Sequence, residues 1–536
     1  MKNKSFVFMV VLLIVASLHS QTVFTDIAPQ AGVNSNDDNF GAAWGDFDND
    51  GDLDLFVVSH NSNNHLFRND GDDMFTDVEV STGIGFPAIP NLGVSWADFD
   101  NDGDLDVFIT ANTPTAIEPN KLMRNDGGIF TDVSIPMGFT EIYNTYQAVW
   151  GDYNNDGLID IFLSTWANVS RLYKNTGTQF IDVTDQVGLW YWGDSRAALW
   201  TDIDNDGDLD IYLCRGWSNN YLRDYLFRND DGIFTEISES VGIITIDYSV
   251  GCDAGDYDND GDLDIFVATV LNHNNKLYRN DGGSFTNISA AYGLDDIGPA
   301  LSAAWLDYDN DGYSDLFVLR SSGNNLLYKN LGDSFLQVQN STGVGNDTGV
   351  SIGLSIGDYN LDGSLDLYVA NRYSENRLYR SSGNTNNWLQ INLVGVIGNK
   401  SAIGARIAIT SNNGDLTQLR EVSGGSGASS QNSLTVEFGV GTADTVNTMI
   451  VYWPSGITET FTNIPVNQLI VLEEASSIIL GDANLDNILN INDILTIVDH
   501  ILGRNPQPFG SYNADINQDN QINILDIIGI LNIILN

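Results

Sequence analysis

A nine-residue stretch recurs seven times between residues 46 and 366, and this recurrence restricts the possible folds more than any other feature of the chain. The first copy is Asp46-Phe-Asp48-Asn-Asp50-Gly51-Asp52-Leu-Asp54; the others run from Asp98 to Asp106, Asp152 to Asp160, Asp202 to Asp210, Asp256 to Asp264, Asp307 to Asp315 and Asp358 to Asp366. Their first acids stand 52, 54, 50, 54, 51 and 51 residues apart. A fixed period of this size marks a propeller or solenoid, in which each unit buries its apolar faces against its neighbours.

The residues around each copy describe a four-stranded unit. Small residues ending in an aromatic come first, as in Gly41-Ala-Ala-Trp44 and Ala303-Ala-Trp305, and suit the crowded innermost strand of a blade. After the acidic loop comes an apolar run such as Leu53-Asp-Leu-Phe-Val-Val58, then Leu66-Phe-Arg-Asn-Asp70, then Phe75-Thr-Asp-Val78. Short runs of this kind between turn signals are strands, and four per unit make a propeller blade. The seventh unit has no fourth strand after Tyr379, while Phe24-Thr-Asp-Ile27 stands before the first unit with no strands of its own. The expected fold is therefore mainly β, a seven-bladed β-propeller over residues 22–382 whose N-terminal strand completes the last blade and removes the free sheet edges.

Charge bears on what the loops bind. The chain carries 72 acidic against 22 basic residues, a formal charge of −50, and thirty of its aspartates lie in the seven loops. Such crowding is costly without cations, and it makes nucleic acid or an anionic membrane a poor partner. Each loop offers acid or amide at positions 1, 3, 5 and 9 around a glycine at 6, and the backbone carbonyl of position 7 can join them. Hard oxygens in that number suit Ca²⁺, which takes about 6–8 of them. The expected ligands are Asp46, Asp48, Asp50 and Asp54; Asp98, Asp100, Asp102 and Asp106; Asp152, Asn154, Asp156 and Asp160; Asp202, Asp204, Asp206 and Asp210; Asp256, Asp258, Asp260 and Asp264; Asp307, Asp309, Asp311 and Asp315; and Asp358, Asn360, Asp362 and Asp366. The alternative, plain Asp/Asn/Gly turns, needs only one or two of these residues per loop. Loops three and seven, with Asn154 and Asn360 at position 3, are expected to bind most weakly.

These units resemble the FG-GAP/VCBS repeats of integrin-α-type propellers, a likeness that implies Ca²⁺ held in the hairpin between the first and second strands of a blade. The Trp position departs to Ala254 in the fifth copy and Ile356 in the seventh, which affects packing more than metal ligands. From Trp388 a different pattern begins, with strand-like runs Trp388–Val394, Ala405–Ile409, Leu434–Phe438, Met449–Trp453 and Leu469–Leu472 separated by Gly and Pro turns. With Val422-Ser-Gly-Gly-Ser-Gly427 and Trp453-Pro-Ser-Gly456, residues 388–474 resemble the small all-β ASPIC/UnbV domain of cartilage acidic protein-like chains, which brings no established catalytic residues. Residues 481–536 carry two further loops 33 residues apart, Asp482, Asn484, Asp486, Asn490 and Asp493, then Asp515, Asn517, Asp519, Asn523 and Asp526. Each runs into an apolar stretch of helical spacing, Ile494–Leu502 and Ile527–Leu535. The pair resembles a type I dockerin, a small α-helical two-calcium-loop module that docks onto cohesins. Asn487 and Asn520 replace its glycine, and Ile491-Asn492 and Ile524-Leu525 replace the Ser-Thr pair common in cohesin binders.

Residues 1–20, with Lys2, Lys4 and the apolar run Phe6–Leu18, read as a secretory signal peptide. An extracellular or cell-surface protein follows, without a membrane span. Cys214 and Cys252 fall on predicted inner strands of consecutive repeats, as a disulfide or as two buried thiols. No catalytic constellation stands out. His60, His65, His273 and His500 lack metal-site spacing, and His60 and His65 read as surface loop residues. Gly349-Val-Ser351-Ile-Gly353 leads into a calcium hairpin rather than the helix a nucleophile elbow needs. Gly424-Gly-Ser-Gly427 lacks the lysine of a phosphate loop. The chain reads as a secreted, calcium-binding, non-catalytic binding, adhesion or scaffold protein for protein or glycan ligands, with up to seven Ca²⁺ in the propeller and two in the tail. The competing reading is a component of extracellular polysaccharide degradation, because dockerin-like tails accompany glycan-active enzymes.

Overall fold

The computed structural model describes residues 22–535 apart from 86–89, 113–117, 167, 217–222, 245–246, 297, 347–348, 415, 476–480, 482, 485–488, 505–513, 515 and 517–520. The signal peptide assigned to residues 1–20 lies outside the described residues.

Each acidic repeat forms one four-stranded antiparallel sheet whose strands follow in chain order. Sheet one, for example, consists of Asn39–Gly45, Asp54–Ser59, His65–Asn69 and Phe75–Asp77. The seventh sheet has three strands of its own, Val350–Gly357, Asp366–Arg372 and Arg377–Ser381. Its fourth is the N-terminal Phe24–Asp26, with Phe24 opposite Ser381 and Asp26 opposite Tyr379. Each innermost strand packs on the next, and that of sheet seven packs on that of sheet one. The result is a closed, β-propeller-like ring.

Small residues line the ring axis because the backbones crowd there. A Cβ on Gly353 would lie 2.1 Å from the carbonyl oxygen of Phe40. The aromatic that ends an innermost strand fills the wedge between sheets: Trp44 is fully buried, stacks on Tyr359 at 5.8 Å and donates from Nε1 to the carbonyl of Ser355. Cys252 lies on an innermost strand as expected, but Cys214 ends the second strand of sheet four; both are buried, unbonded thiols. The chain gains an extra residue near the start of the innermost strand in six of the seven sheets, for instance between Asn39 and Ala42. In sheet four it does not.

The segment after residue 386 forms a β module of two sheets. One orders Val436–Gly441, Asn387–Val394 and Gln468–Glu473, the last pair parallel; the other orders Leu416–Glu421, Arg406–Ser411, Thr445–Tyr452 and Thr458–Pro465. Leu389, Ile391, Ile407, Ile409, Phe438 and Met449 fill the space between them. The loop Val422–Ser433 does not stay on this module. It runs into the axis of the ring, where Gln431 accepts from the Trp96 amide (2.6 Å) and donates to the Trp96 carbonyl (3.0 Å). Gly424 and Gly427 accept from the amides of Trp150 (3.1 Å) and Cys252 (3.3 Å), and Ser355 Oγ donates to the Gln431 carbonyl (2.6 Å). A Cβ on Gly424 would stand 2.0 Å from the Trp150 oxygen, so the glycines that look like a phosphate loop in the sequence are there to let two backbones meet. In the tail, helices Ile491–Ile501 and Ile524–Leu535 pack around Ala483, Ile494, Ile497, Ala514 and Ile530.

Candidate metal centres

Each acidic loop folds by the same local rules. Position 1 caps it: Asp46 Oδ1 and Oδ2 accept from the amides of Asp50 (3.1 Å) and Gly51 (3.0 Å), and Asp152, Asp202 and Asp358 repeat the pattern. Position 5 accepts from position 7, as Asp50 does from Asp52 (3.0 Å). Position 4 takes a left-handed backbone, φ 58° at Asn49, which asparagine tolerates. Six of the seven loops have asparagine there, and its side chain reaches the next loop: Asn49 donates to Asp104 (2.7 Å), Asn205 to Asp262 (2.7 Å) and Asn310 to the Gly363 carbonyl (2.9 Å). The seventh has Leu361 at φ 56° and cannot make this link.

The aspartate at position 9 differs from the other ligands expected from the sequence. It is fully buried, and in six of the seven loops both oxygens are engaged by backbone amides; Asp366 accepts from one amide and from the Asn360 side chain. Asp54 accepts from Phe47 (3.1 Å) and Asn69 (2.8 Å), Asp106 from Phe99 (3.0 Å) and Asn125 (2.7 Å), and Asp210 from Ile203 (3.0 Å) and Asn229 (2.7 Å). It ties the loop to the third strand. Burial pushes Asp54 up to about 8 and Asp106 and Asp264 up to about 9, and raises Asp160, Asp210, Asp315 and Asp366 too. An adjacent cation would reverse that preference for the neutral form. The asparagine of the third strand has its own role: Asn125 Nδ2 donates to the carbonyl of Phe47 in the preceding loop (2.7 Å), and Asn175, Asn229, Asn280 and Asn330 do likewise.

Five loops bring three carboxylates together: Asp46, Asp48 and Asp50; Asp98, Asp100 and Asp106; Asp202, Asp204 and Asp206; Asp256, Asp258 and Asp264; and Asp307, Asp309 and Asp311, with one oxygen from each residue within 4.8 Å of the others. Loops three and seven form no such group of acids. The test of whether a cation fits comes from position 3. Oδ1 of Asp48, Asn154, Asp204, Asp258 and Asp309 is buried and accepts no hydrogen bond. A buried oxygen without a donor is costly, and a hard cation among the neighbouring carboxylates satisfies it.

Third-strand cations divide the loops further. In sheets one, two, four and five an arginine is held by the acid two residues on, as Arg68 is by Asp70 (2.6 Å) and Arg228 by Asp230 (2.9 Å). In sheets three and six that acid is Thr176 or Leu331, and a lysine turns into the loop instead. Lys174 pairs with Asp156 (2.9 Å), while Lys329 pairs with Asp309 and with Asp311 (2.8 Å). The Lys-for-Arg exchange was visible in the sequence, but its meaning depends on the missing acid.

The β module covers the acidic end of the ring. Arg406 pairs with Asp202 (3.0 Å), Gln390 donates to Asp358 (2.7 Å), Ser401 Oγ accepts from the Asp98 amide (2.8 Å) and Glu421 from that of Asp202 (3.2 Å). Arg420 adds its charge beside Asp256 and Asp307.

In the tail, Asp482, Asp486, Asp515, Asn517 and Asp519 lie outside the described residues. Asn490 and Asp493 form a capping box on the first helix: the Asn490 side chain accepts from Asn492 (2.8 Å), and Asp493 accepts from the amide of Asn490 (2.7 Å). Asn523 and Asp526 repeat it.

The histidines form no metal group among the described residues. His65 is not a free loop residue: it opens a strand and is bridged by Asp77 (2.7 Å) and Asp37 (3.3 Å). Ser351 is buried on the innermost strand of sheet seven and donates to Asn371 (2.8 Å).

The model of the FG-GAP-like repeat matches residues 46–109, 152–213, 202–267, 256–318 and 307–369. The chain belongs to the FG-GAP-like repeat family. The ASPIC and UnbV model matches residues 395–479, which places an ASPIC and UnbV domain beside the FG-GAP-like repeats. Cartilage acidic protein 1 of Homo sapiens is 30% identical over 141 residues, 26% of this chain and 21% of the relative. That of Xenopus tropicalis is 29% identical over 144 residues, 26% and 22% of the two chains. The match thus spans about a fifth of these relatives. Among solved structures, BBS1N in complex with ARL6DN is similar at TM-score 0.44 and 12% identity, over 67% of this chain and 96% of that one. A rhamnogalacturonan lyase from Bacillus licheniformis gives 0.39 and 13%, over 64% and 71%.

Proposed function

We propose that the FG-GAP-like ring is a seven-bladed propeller whose loops bind Ca²⁺, and that the protein is a secreted, non-catalytic binding or scaffold protein. The observation that carries this is the position-3 oxygen, buried without a donor in five loops and set in a group of three carboxylates in four of them. Asp or Asn at positions 1, 3 and 5 are the ligands. Position 9 orients the loop and turns toward the ion only through its remaining lone pairs. Calcium makes the acidic end affordable, and the module fixes the loops from above. The dockerin-like tail attaches the protein elsewhere, with a cohesin-like protein or another surface as partner. No helix among the described residues is long and apolar enough to cross a membrane.

Removal of calcium tests this directly. A site saturated a hundredfold above its Kd contributes about 2.7 kcal/mol, so EDTA is expected to lower Tm by on the order of 10 °C. Calcium titration followed by mass spectrometry under native conditions should fill loops three, six and seven last, because a lysine amine competes in three and six and loop seven lacks a group of three carboxylates. An unchanged Tm would sink the proposal, and turnover of a polysaccharide by the calcium-loaded protein would favour the degradative reading instead.

A further inference from the structure

The acidic loops occupy one end of the ring, where the innermost strands finish. At the other end, where they start, the ring opens into a funnel of about 490 Å³. Its floor is Ala428 and Ser429 of the threaded loop, so it is blind. This volume lies within the usual range for ligand pockets.

The walls differ in chemistry. Val250, Val270, Leu301, Val350 and Ile352 make an aliphatic side across sheets five to seven. Aromatic residues carrying arginines complete the lining, with Arg372 the cross-strand neighbour of Val350. The Arg196 guanidinium lies 3.9 Å over the ring of Tyr146 and 5.9 Å from that of Trp166. Arg372 lies 4.5 Å over Phe40 and is held in place by Asp38 at 2.6 and 3.2 Å. Between them the Asn112 amide nitrogen is buried and makes no hydrogen bond of ordinary length, although it lies next to the Tyr146 side chain. Two of the chain's 22 basic residues therefore face one apolar cavity, each with one carboxylate beside it, Asp194 at 3.6 Å from Arg196 and Asp38 at Arg372, and with further guanidinium donors for a ligand.

We propose that this funnel receives a segment of a partner protein that presents a carboxylate beside a large apolar side chain. The inference rests on the binding reading above and names its surface. Arg196 and Arg372 meet the carboxylate, since a guanidinium already stacked on a ring loses little freedom on pairing. The aliphatic wall takes the apolar side chain. An oligosaccharide fits worse, because its hydroxyls would lose water against Val, Leu and Ile without gaining partners. A partner larger than a small acid is favoured by the collar around the mouth. Leu271 is 52% exposed, and Tyr373, whose ring lies 4.7 Å from Arg372, is 71% exposed. Leu271 lines the cavity, whereas Tyr373 stands outside the lining, where only a ligand that extends past the mouth covers it.

The test uses the full calcium-loaded chain and blocked pentapeptides that place Glu next to Leu or Phe, followed by tryptophan fluorescence and calorimetry. Saturable binding is expected, at least about tenfold weaker for the Gln counterparts and for Arg196→Gln. Ile352→Trp, which fills the funnel at a half-exposed position, is expected to abolish binding while leaving Tm near that of the parent. Arg504→Gln, in the tail and outside the funnel, should change nothing. The inference is overturned if no peptide of the set saturates, if the Gln peptides bind as tightly, or if digalacturonate binds in their place. Calcium dependence of Tm is measured on the same samples. A calcium-dependent Tm without peptide binding removes the funnel assignment alone, whereas a calcium-independent Tm removes the scaffold reading.

Discussion

The two ends of the innermost strands make opposite uses of one repeat. At the acidic end the nine-residue loop keeps its length in all seven units, and its acids at positions 1 and 9 meet backbone amides, while the position-3 oxygen of five loops stays without a donor. At the funnel end the links between second and third strands vary, from Ser59 to His65 in sheet one to Cys214 to Tyr225 in sheet four. Extra residues at the strand starts in six sheets re-aim side chains there. The constant end sets the architecture, and the variable end is where individuality can be carried. A solenoid-like repeat thus separates what must be identical for the ring to close from what is free to differ.

The threaded loop joins the two ends, so breaking it is the strongest test of the contrast. Gln431→Ala leaves the amide and carbonyl of Trp96 buried without partners. At about 1–3 kcal/mol for each, the loss is expected near 4 kcal/mol. Urea denaturation should show it as a lower midpoint with calcium present. A midpoint within error of the parent would mean that the ring closes without its plug and that the ends are independent.

Protonation separates the ends more finely. At the funnel end Asp224 is fully buried and pushed up to about 7 by desolvation, despite hydrogen bonds from the Arg215 amide (2.8 Å), the Tyr212 hydroxyl (2.9 Å) and Ser249 (2.7 Å). Its folded value lies above its unfolded one, so the folded state holds the extra proton. Stability is then complete below about pH 4 and falls as pH rises toward 7, by on the order of 3 kcal/mol. Asp54 and Asp106 give the same sign without metal, and calcium cancels their contribution. Thermal melts in calcium should therefore retain a decline between pH 4 and 7 that Asp224→Asn reduces but does not remove, since Asp253 and Asp194 are raised with the same sign, whereas in EDTA the decline should steepen and extend toward pH 9. Identical profiles with and without calcium would erase the distinction between the ends.

Periodicity made much of the ring legible. The pairing of Phe24–Asp26 with Arg377–Ser381 followed from counting strands, and the five carboxylate groups followed from spacing. Three things were not legible because they depend on neighbours in space. The position-9 aspartate shows in one dimension as one more loop acid, and that a third-strand amide some fifteen residues on holds its Oδ1 does not show there. The Val422–Ser433 loop reads as a turn, since nothing local says that its glycines meet Trp150 and Cys252. The funnel takes one residue of every repeat from the same place, six before the first acid, from Phe40 and Leu92 to Leu301 and Ile352, but nothing local says that this position faces a cavity. Position 4 of the loop was available: asparagine in six copies out of seven is a signal, and it marks the links between loops.

That signal gives the smallest effect expected here and acts wholly within the acidic end. Leu361 holds a left-handed backbone at φ 56°, where a branched side chain costs about 1–2 kcal/mol and asparagine much less. It also leaves the ring of loop-to-loop hydrogen bonds open between loops seven and one. Leu361 is 45% exposed, so replacing it forfeits little burial. Leu361→Asn should therefore raise the denaturation midpoint by the equivalent of about 1 kcal/mol and strengthen calcium binding at loop seven, with no change in peptide binding at the funnel. A gain in stability without a gain in calcium affinity would mean that the asparagine links serve closure of the ring alone. A change at the funnel would mean that the two ends communicate through more than the threaded loop.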